Sequence, residues 1–202
     1  MELYLVVCVC VSILALFSVG ESLFKKLNVS RYFVAIFLMI SALSFYISPF
    51  DFAGLTINVN FCLYALLFVF VLFKQKSFKN FLRSVLIACI CLAICVCYNS
   101  LNLLQYEFAY FQPYLLICLL LGIVCCLFSS DIKTCFLGLF IGVSVSELIR
   151  SNNIMFVQNE FVLGQMQFCC LIAITLLCFS ALVAVKGFAI TIKQKYKTNK
   201  TN

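Results

Sequence analysis

A carboxylate near the end of a long apolar run, Glu147, is the side chain most able to do chemistry in this sequence. Ionisable groups within membrane segments are costly and usually have a function. Arg150 follows three residues later, so the two charges can pair on one helical face. Gln165 and Gln167 open the next apolar run, and Asn60 opens an earlier one. We predict a candidate polar site of Glu147, Arg150, Gln165 and Asn60, either a structural ion pair or a substrate or proton-handling site that opens outward.

The 14 cysteines and the absence of histidine limit the remaining chemistry. Without histidine, the metalloprotease helix, the histidine-activated serine nucleophile and most zinc sites are excluded. Most cysteines lie inside apolar runs, where a free thiol behaves as a small hydrophobic side chain. Cys91 and Cys95 share a helical face, but two thiols do not complete a tetrahedral site. We interpret the cysteines as packing residues and predict no metal and no cofactor, with a thiol metal or redox site as the alternative.

Residues typical of membrane enzymes are also scarce. The sequence has no glycine-rich phosphate loop and no acidic cluster for a divalent metal, and the central parts of its apolar runs carry almost no charged or amide side chains. We therefore predict that the protein is not an enzyme. The net charge of +7 comes from short basic clusters between apolar runs, which is typical of a membrane face and does not indicate nucleic-acid binding.

A small-residue motif lies in the same apolar run as Glu147. Gly138 and Gly142 are four residues apart, and Ser146 continues the spacing. Small residues at this spacing form a flat helical face that another helix can approach closely. We predict a helix-packing face of Gly138, Gly142 and Ser146. Its partner is either another helix of the same chain or a second protein, as in a homodimer.

The composition requires that these residues lie on membrane helices. The chain is 65% hydrophobic and 10% charged, whereas soluble domains have roughly 45–50% apolar and 25% charged residues. We predict an all-α, polytopic bundle of about seven spans in one domain, residues 1–192, with a short basic tail, residues 193–202. The predicted spans are residues 3–23, 32–48, 55–73, 81–98, 113–128, 132–149 and 165–191.

The basic residues predict the orientation of this bundle. With seven spans, all of them except Arg150 fall on one side of the membrane. Because the lysine- and arginine-rich side of a membrane protein is cytosolic, we predict an external N-terminus and a cytosolic C-terminus in the cell membrane. The two longest connections, residues 99–112 and 150–164, are then external. Their mixture of polar and aromatic residues predicts that they lie along the interface or fold back on the bundle.

Two functions follow as hypotheses. The first is a non-enzymatic membrane component, surrounded by lipid, that acts through helix–helix contacts with partner subunits or with a second copy of itself. Its support is the polar-poor interior of the spans and the small-residue face. The alternative is a small transporter or substrate-binding membrane subunit for an apolar or weakly polar compound, whose outward-facing site lies near Glu147.

Overall fold

The computed structural model describes residues 8–13, 30–44, 46–52, 55–75, 77–103, 113–155, 162–164 and 166–198. Residues 8–13 are helical and are labelled α1. Six further helices and three short strands are described. They are α2 (Arg31–Ser44), β1 (Phe50–Phe52), β2 (Leu55–Ile57), α3 (Val59–Lys74), α4 (Phe78–Leu103), α5 (Pro113–Phe128), α6 (Ile132–Met155), β3 (Val162–Leu163) and α7 (Met166–Thr198).

The helices follow the predicted spans with some differences at their ends. Helix α5 has the predicted limits, and its first residue, Pro113, has no N–H to leave unpaired in the first turn. Helix α3 begins four residues later than predicted because the side chain of Asn58 caps it, accepting a hydrogen bond of 2.9 Å from the backbone N–H of Asn60. Helix α6 continues beyond Arg150 to Met155, and α7 includes most of the tail that was expected to be separate.

A small sheet is the feature that an all-α prediction leaves out. Strand β1 pairs antiparallel with β2, which pairs in parallel with β3. The hydroxyl of Thr56 donates to the carboxylate of Asp51 across the β1–β2 pair, with 2.6 Å between the oxygens. The backbone N–H of Asn58 donates to the carbonyl of Leu163, which ties the start of α3 to the segment before α7. We call this end of the bundle the sheet end.

The predicted small-residue face packs inside the chain. A methyl group on Gly138 would lie 2.7 Å from Cβ of Ile87 and 2.8 Å from the carbonyl oxygen of Ser84. At Gly142 it would lie 2.7 Å from the carbonyl oxygen of Ala88. Helices α4 and α6 therefore meet at backbone distance, which only glycine permits. Of the two partners considered for this face, the structure shows the one within the same chain.

A second pair of helices and a group of aromatic rings complete the core. Gly122 of α5 lies against α7, where a methyl group would be 3.0 Å from Cβ of Cys178. Phe140 of α6 contacts ring neighbours from α3 and α7, with centroids 4.9 Å from Phe68 and 6.0 Å from Phe168. These rings join α3, α6 and α7, so the core extends across the bundle rather than lying between one pair of helices.

Three described helices are long and apolar enough to cross a membrane, judged by length and composition: Phe78–Ser100, Ile132–Arg150 and Gln167–Lys186. The apolar helices Arg31–Ser44, Val59–Lys74 and Leu115–Phe128 are shorter than the roughly 20 residues that a full crossing needs. Large apolar side chains are nevertheless exposed on the short helices. Examples are Leu43, Leu66 and Leu116. Such outward-facing apolar surface is typical of helices surrounded by lipid.

We expect Gly142→Ala to destabilise the protein by about 1–3 kcal/mol, because the added methyl group would press on the backbone of α4. Thermal unfolding of the purified protein in detergent measures this effect. The matched control is Val145→Ile, which adds one methylene group to an exposed position of the same helix. Equal melting temperatures for Gly142→Ala and the control would contradict the close contact between α4 and α6.

Candidate functional site

A small cleft opens among α4, α5, α6 and α7 toward the sheet end, with a volume of about 50 Å³. This volume holds a few water molecules. The floor is apolar and includes Ile117, Val143 and Leu171. The polar groups of the wall are Tyr98, Asn99, Ser146, Glu147, Arg150 and Gln167. Polar groups that converge above an apolar floor are the usual composition of a binding site for a small molecule.

The carboxylate of Glu147 is held by a backbone donor from the turn that follows β3. The N–H of Gly164 donates to Oε2 of Glu147 over 3.1 Å. Gly164 has a φ of +74°, and a methyl group there would lie 2.5 Å from Cβ of Phe61. Only glycine combines this backbone conformation with so close a contact. The turn after β3 is therefore shaped so that its N–H points at the carboxylate.

Arg150 joins α6 to α7 at the rim of the cleft. Its Nη1 donates to Oε1 of Gln167 over 3.3 Å. Glu147 lies three residues before Arg150 on the same helix. Glu147, Arg150 and Gln167 thus form one polar cluster at the sheet end. Glu147 is bonded to Gly164 and Arg150 to Gln167, so both partners lie in the part of the chain after α6.

Two of the four predicted site residues line the cleft, a third lies elsewhere in the bundle, and the fourth is outside the described residues. Glu147 and Arg150 both line the cleft, as does Gln167. Gln165 lies outside the described residues. Asn60 is fully buried near the start of α3, where its Oδ1 accepts a hydrogen bond of 2.7 Å from the hydroxyl of Ser41. Asn60 therefore belongs to a polar contact between α2 and α3 and does not line the cleft.

Sequence reasoning missed two of the polar residues in the wall. Tyr98 and Asn99 lie on α4, which continues to Leu103, beyond the span end that hydropathy predicts. The polar residues after Tyr98 were interpreted as the start of a connection. Ser146 was predicted only as a packing residue, yet it also lines the cleft, on the same face of α6 as Gly138 and Gly142. Tyr98 and Asn99 were missed because a span end was predicted where the apolar run stops, whereas α4 continues as a helix beyond that point.

The cysteines are all free thiols, and many are buried in the core. Cys135 donates weakly to the carbonyl of Cys125, with 3.7 Å between sulfur and oxygen. Among the described residues, no group of three or more histidine, cysteine or acidic side chains is arranged to hold a metal ion. The buried thiols pack as small core side chains, whereas Cys10, Cys89 and Cys97 are exposed.

The distribution of apolar side chains and the short connections are those of a membrane protein, and comparison with known families agrees. The model of the YphA-like integral membrane proteins matches residues 3–202. The chain belongs to this family. It is therefore an integral membrane protein, which confirms the membrane and transmembrane character predicted from composition. Comparison with curated proteins and with solved structures gives no match.

In this YphA-like chain, we expect Glu147→Ala to loosen the turn at Gly164, because the buried N–H would lose its acceptor. Amide hydrogen exchange at Leu163 and Gly164 measures the effect, and an increase of about fivefold or more is expected, equivalent to roughly 1 kcal/mol. Glu147→Gln is the matched variant, since its amide oxygen can still accept the bond. Exchange that is unchanged in the alanine variant would contradict a role for Glu147 in holding the turn.

Proposed function

We propose that this protein is a non-enzymatic, multi-pass protein of the cell membrane that binds a small polar solute in the cleft at its sheet end. This develops the substrate-binding alternative of the sequence analysis, with a small polar solute in place of the apolar or weakly polar compound expected there. One observation carries the proposal: within an otherwise apolar bundle, the glycine turn donates a hydrogen bond to Glu147 in a cleft that Arg150 and Gln167, bonded to each other, also line. Buried charge is retained in membrane segments chiefly where it serves a function.

The charges and the size of the cleft limit the solute. Glu147 and Arg150 are the acidic and the basic residue among its lining groups, so their formal charges are opposite. Such a wall favours a neutral or zwitterionic molecule over an ion, because an unbalanced charge would be buried without a partner. The volume of about 50 Å³ accommodates a small polar group, and a larger solute would extend through the open side of the cleft.

The hypothesis of a partner-binding component has lost its main support. It depended on a free small-residue face at Gly138 and Gly142, and these glycines lie against α4 of the same chain. Nothing comparable replaces that face among the described residues. Association with a partner subunit or with a second copy stays a prediction without a defined surface.

We further propose seven crossings, with the N-terminus outside and the C-terminus in the cytosol. The support is the count of apolar segments and the separation of the basic residues from the sheet end, where Arg150 is the single basic residue expected. In this orientation the cleft opens to the exterior. The three shorter helices are long enough to cross the hydrocarbon core of the bilayer only if the residues that flank them are included.

Reporter fusions test the orientation. A reporter that is active only in the cytosol should be active when fused after residue 202 and inactive when fused before residue 1. A pair that reports the same compartment at both ends would contradict an odd number of crossings. A reporter that is active at the N-terminus and inactive at the C-terminus would contradict the proposed orientation, and with it the outward opening of the cleft.

Thermal stability tests the binding site. We expect at least one compound from a panel of amino acids, small amides and polyols to raise the melting temperature of the purified protein, because a ligand that binds only the folded state stabilises it. The same compound should have at least a tenfold weaker effective affinity for Glu147→Gln, which keeps the acceptor for Gly164 but removes the charge.

The control for this experiment is Asn60→Ala, which changes a buried polar side chain outside the cleft. Its melting temperature can fall, but the shift caused by the ligand should be retained. The proposed site would be contradicted if no compound of the panel stabilised the wild type. It would also be contradicted if a compound stabilised the wild type and Glu147→Gln equally.

A further inference from the structure

The end of the bundle opposite the sheet carries a concentration of positive charge that the cleft does not explain. Lys74 ends α3, Lys79 and Arg83 lie in the first turns of α4, and Lys133 lies in the first turn of α6. We call these four residues the basic rim. The side chains of Lys74, Lys79 and Arg83 are exposed, and that of Lys133 is partly exposed.

The fold brings three separate segments of this rim to one place. Nε2 of Gln75, in the turn between α3 and α4, donates to the hydroxyl of Thr134 at the start of α6 over 3.1 Å. Helices α4 and α6 run side by side in the same direction, with Ser84 beside Gly138 and Ala88 beside Gly142. The same register, continued toward the start of both helices, places Lys79 level with Lys133.

The acidic residue at this end offsets only part of the charge of the rim. Asp131 is the acidic side chain that the described residues contribute here, and its carboxylate caps α6. It accepts hydrogen bonds from the backbone N–H groups of Lys133 and Thr134, at 3.3 and 3.4 Å, and from the hydroxyl of Thr134, at 2.9 Å. Its oxygens are thus occupied by the helix start, so the lysine charges face outward without a carboxylate partner among the described residues.

Exposed apolar side chains adjoin this charge. Phe73 is 84% exposed and Phe78 is 79% exposed, on either side of the turn between α3 and α4. The ammonium of Lys74 lies 4.8 Å from the ring centroid of Phe70, so its charge is directed along the apolar surface. A cationic rim next to an exposed aromatic surface matches a molecule with an anionic head and an apolar tail, whereas a soluble phosphate would use only the charge.

We propose that the basic rim binds the headgroup of an anionic phospholipid, whose acyl chains lie against Phe73 and Phe78. Each lysine near an anionic membrane surface contributes enough attraction to change the affinity several-fold. Three lysines from three segments hold the headgroup from more than one side, which selects a lipid of net negative charge over a zwitterionic one. The inference concerns the opposite end from the cleft and is independent of the proposed solute.

Lipid binding by the purified full-length protein tests the proposal. The probes are phosphatidylglycerol and phosphatidylcholine, added to the protein in detergent and counted as retained lipids by native mass spectrometry. Wild type should retain phosphatidylglycerol at least tenfold more tightly than phosphatidylcholine. The variant with Lys74→Gln, Lys79→Gln and Lys133→Gln should lose most of this preference, and the corresponding Lys→Arg variant should keep it.

A second variant separates a local site from overall charge. Lys193→Gln, Lys195→Gln and Lys197→Gln remove the same charge from the C-terminal segment and should leave the preference intact. Equal losses in the two glutamine variants, or no loss in the rim variant, would overturn the proposal.

Displacement of the retained phosphatidylglycerol by millimolar inorganic phosphate would also overturn it, since the site would then recognise phosphate without the acyl chains. If the rim variant fails to fold, the preference in the three single lysine variants decides the matter, with a partial loss expected in each.

Discussion

The contact between α4 and α6 at Gly138 and Gly142 is the constraint on which the other features depend. In an apolar environment the hydrophobic effect gives little drive for helix association, so close packing of backbones has to supply it. Because α6 has no side chain at these two positions, Ile87 and the backbone of α4 pack directly against it, which fixes the register of the two helices at this contact. That register sets Ser146 and Cys95 opposite each other at one end, and the starts of both helices together at the other.

Both polar regions of the molecule follow from this fixed pair. At the sheet end, α6 continues past the apolar part of the chain and presents Glu147 and Arg150 to the start of α7. At the basic end, the turn between α3 and α4 is bonded to the start of α6 through Gln75 and Thr134. The interior between them is packed with apolar rings and thiols, such as Phe140 and Cys125, so it keeps the two regions apart.

Sequence reasoning found the parts that depend on local composition and missed those that depend on distant pairing. The limits of α5 could be predicted because its apolar length and its first-turn proline are local features of the sequence. The sheet could not, because β2 and β3 are far apart in the sequence and each is too short to show an alternating pattern. Glu147 and Arg150 stood out because charge is rare in apolar runs, whereas Asn60, an uncharged amide in the first turn of α3, is used between α2 and α3.

Gly164 connects regions that the sequence keeps separate. Its backbone contacts Phe61 on α3, its N–H is bonded to Glu147 on α6, and it directly follows the strand that completes the sheet. A displacement of α3 relative to α6 would therefore change the position of the one backbone donor that faces this carboxylate among the described contacts. The polarity of the cleft is in this sense mechanically coupled to the spacing of α3 and α6, through a residue that has no side chain.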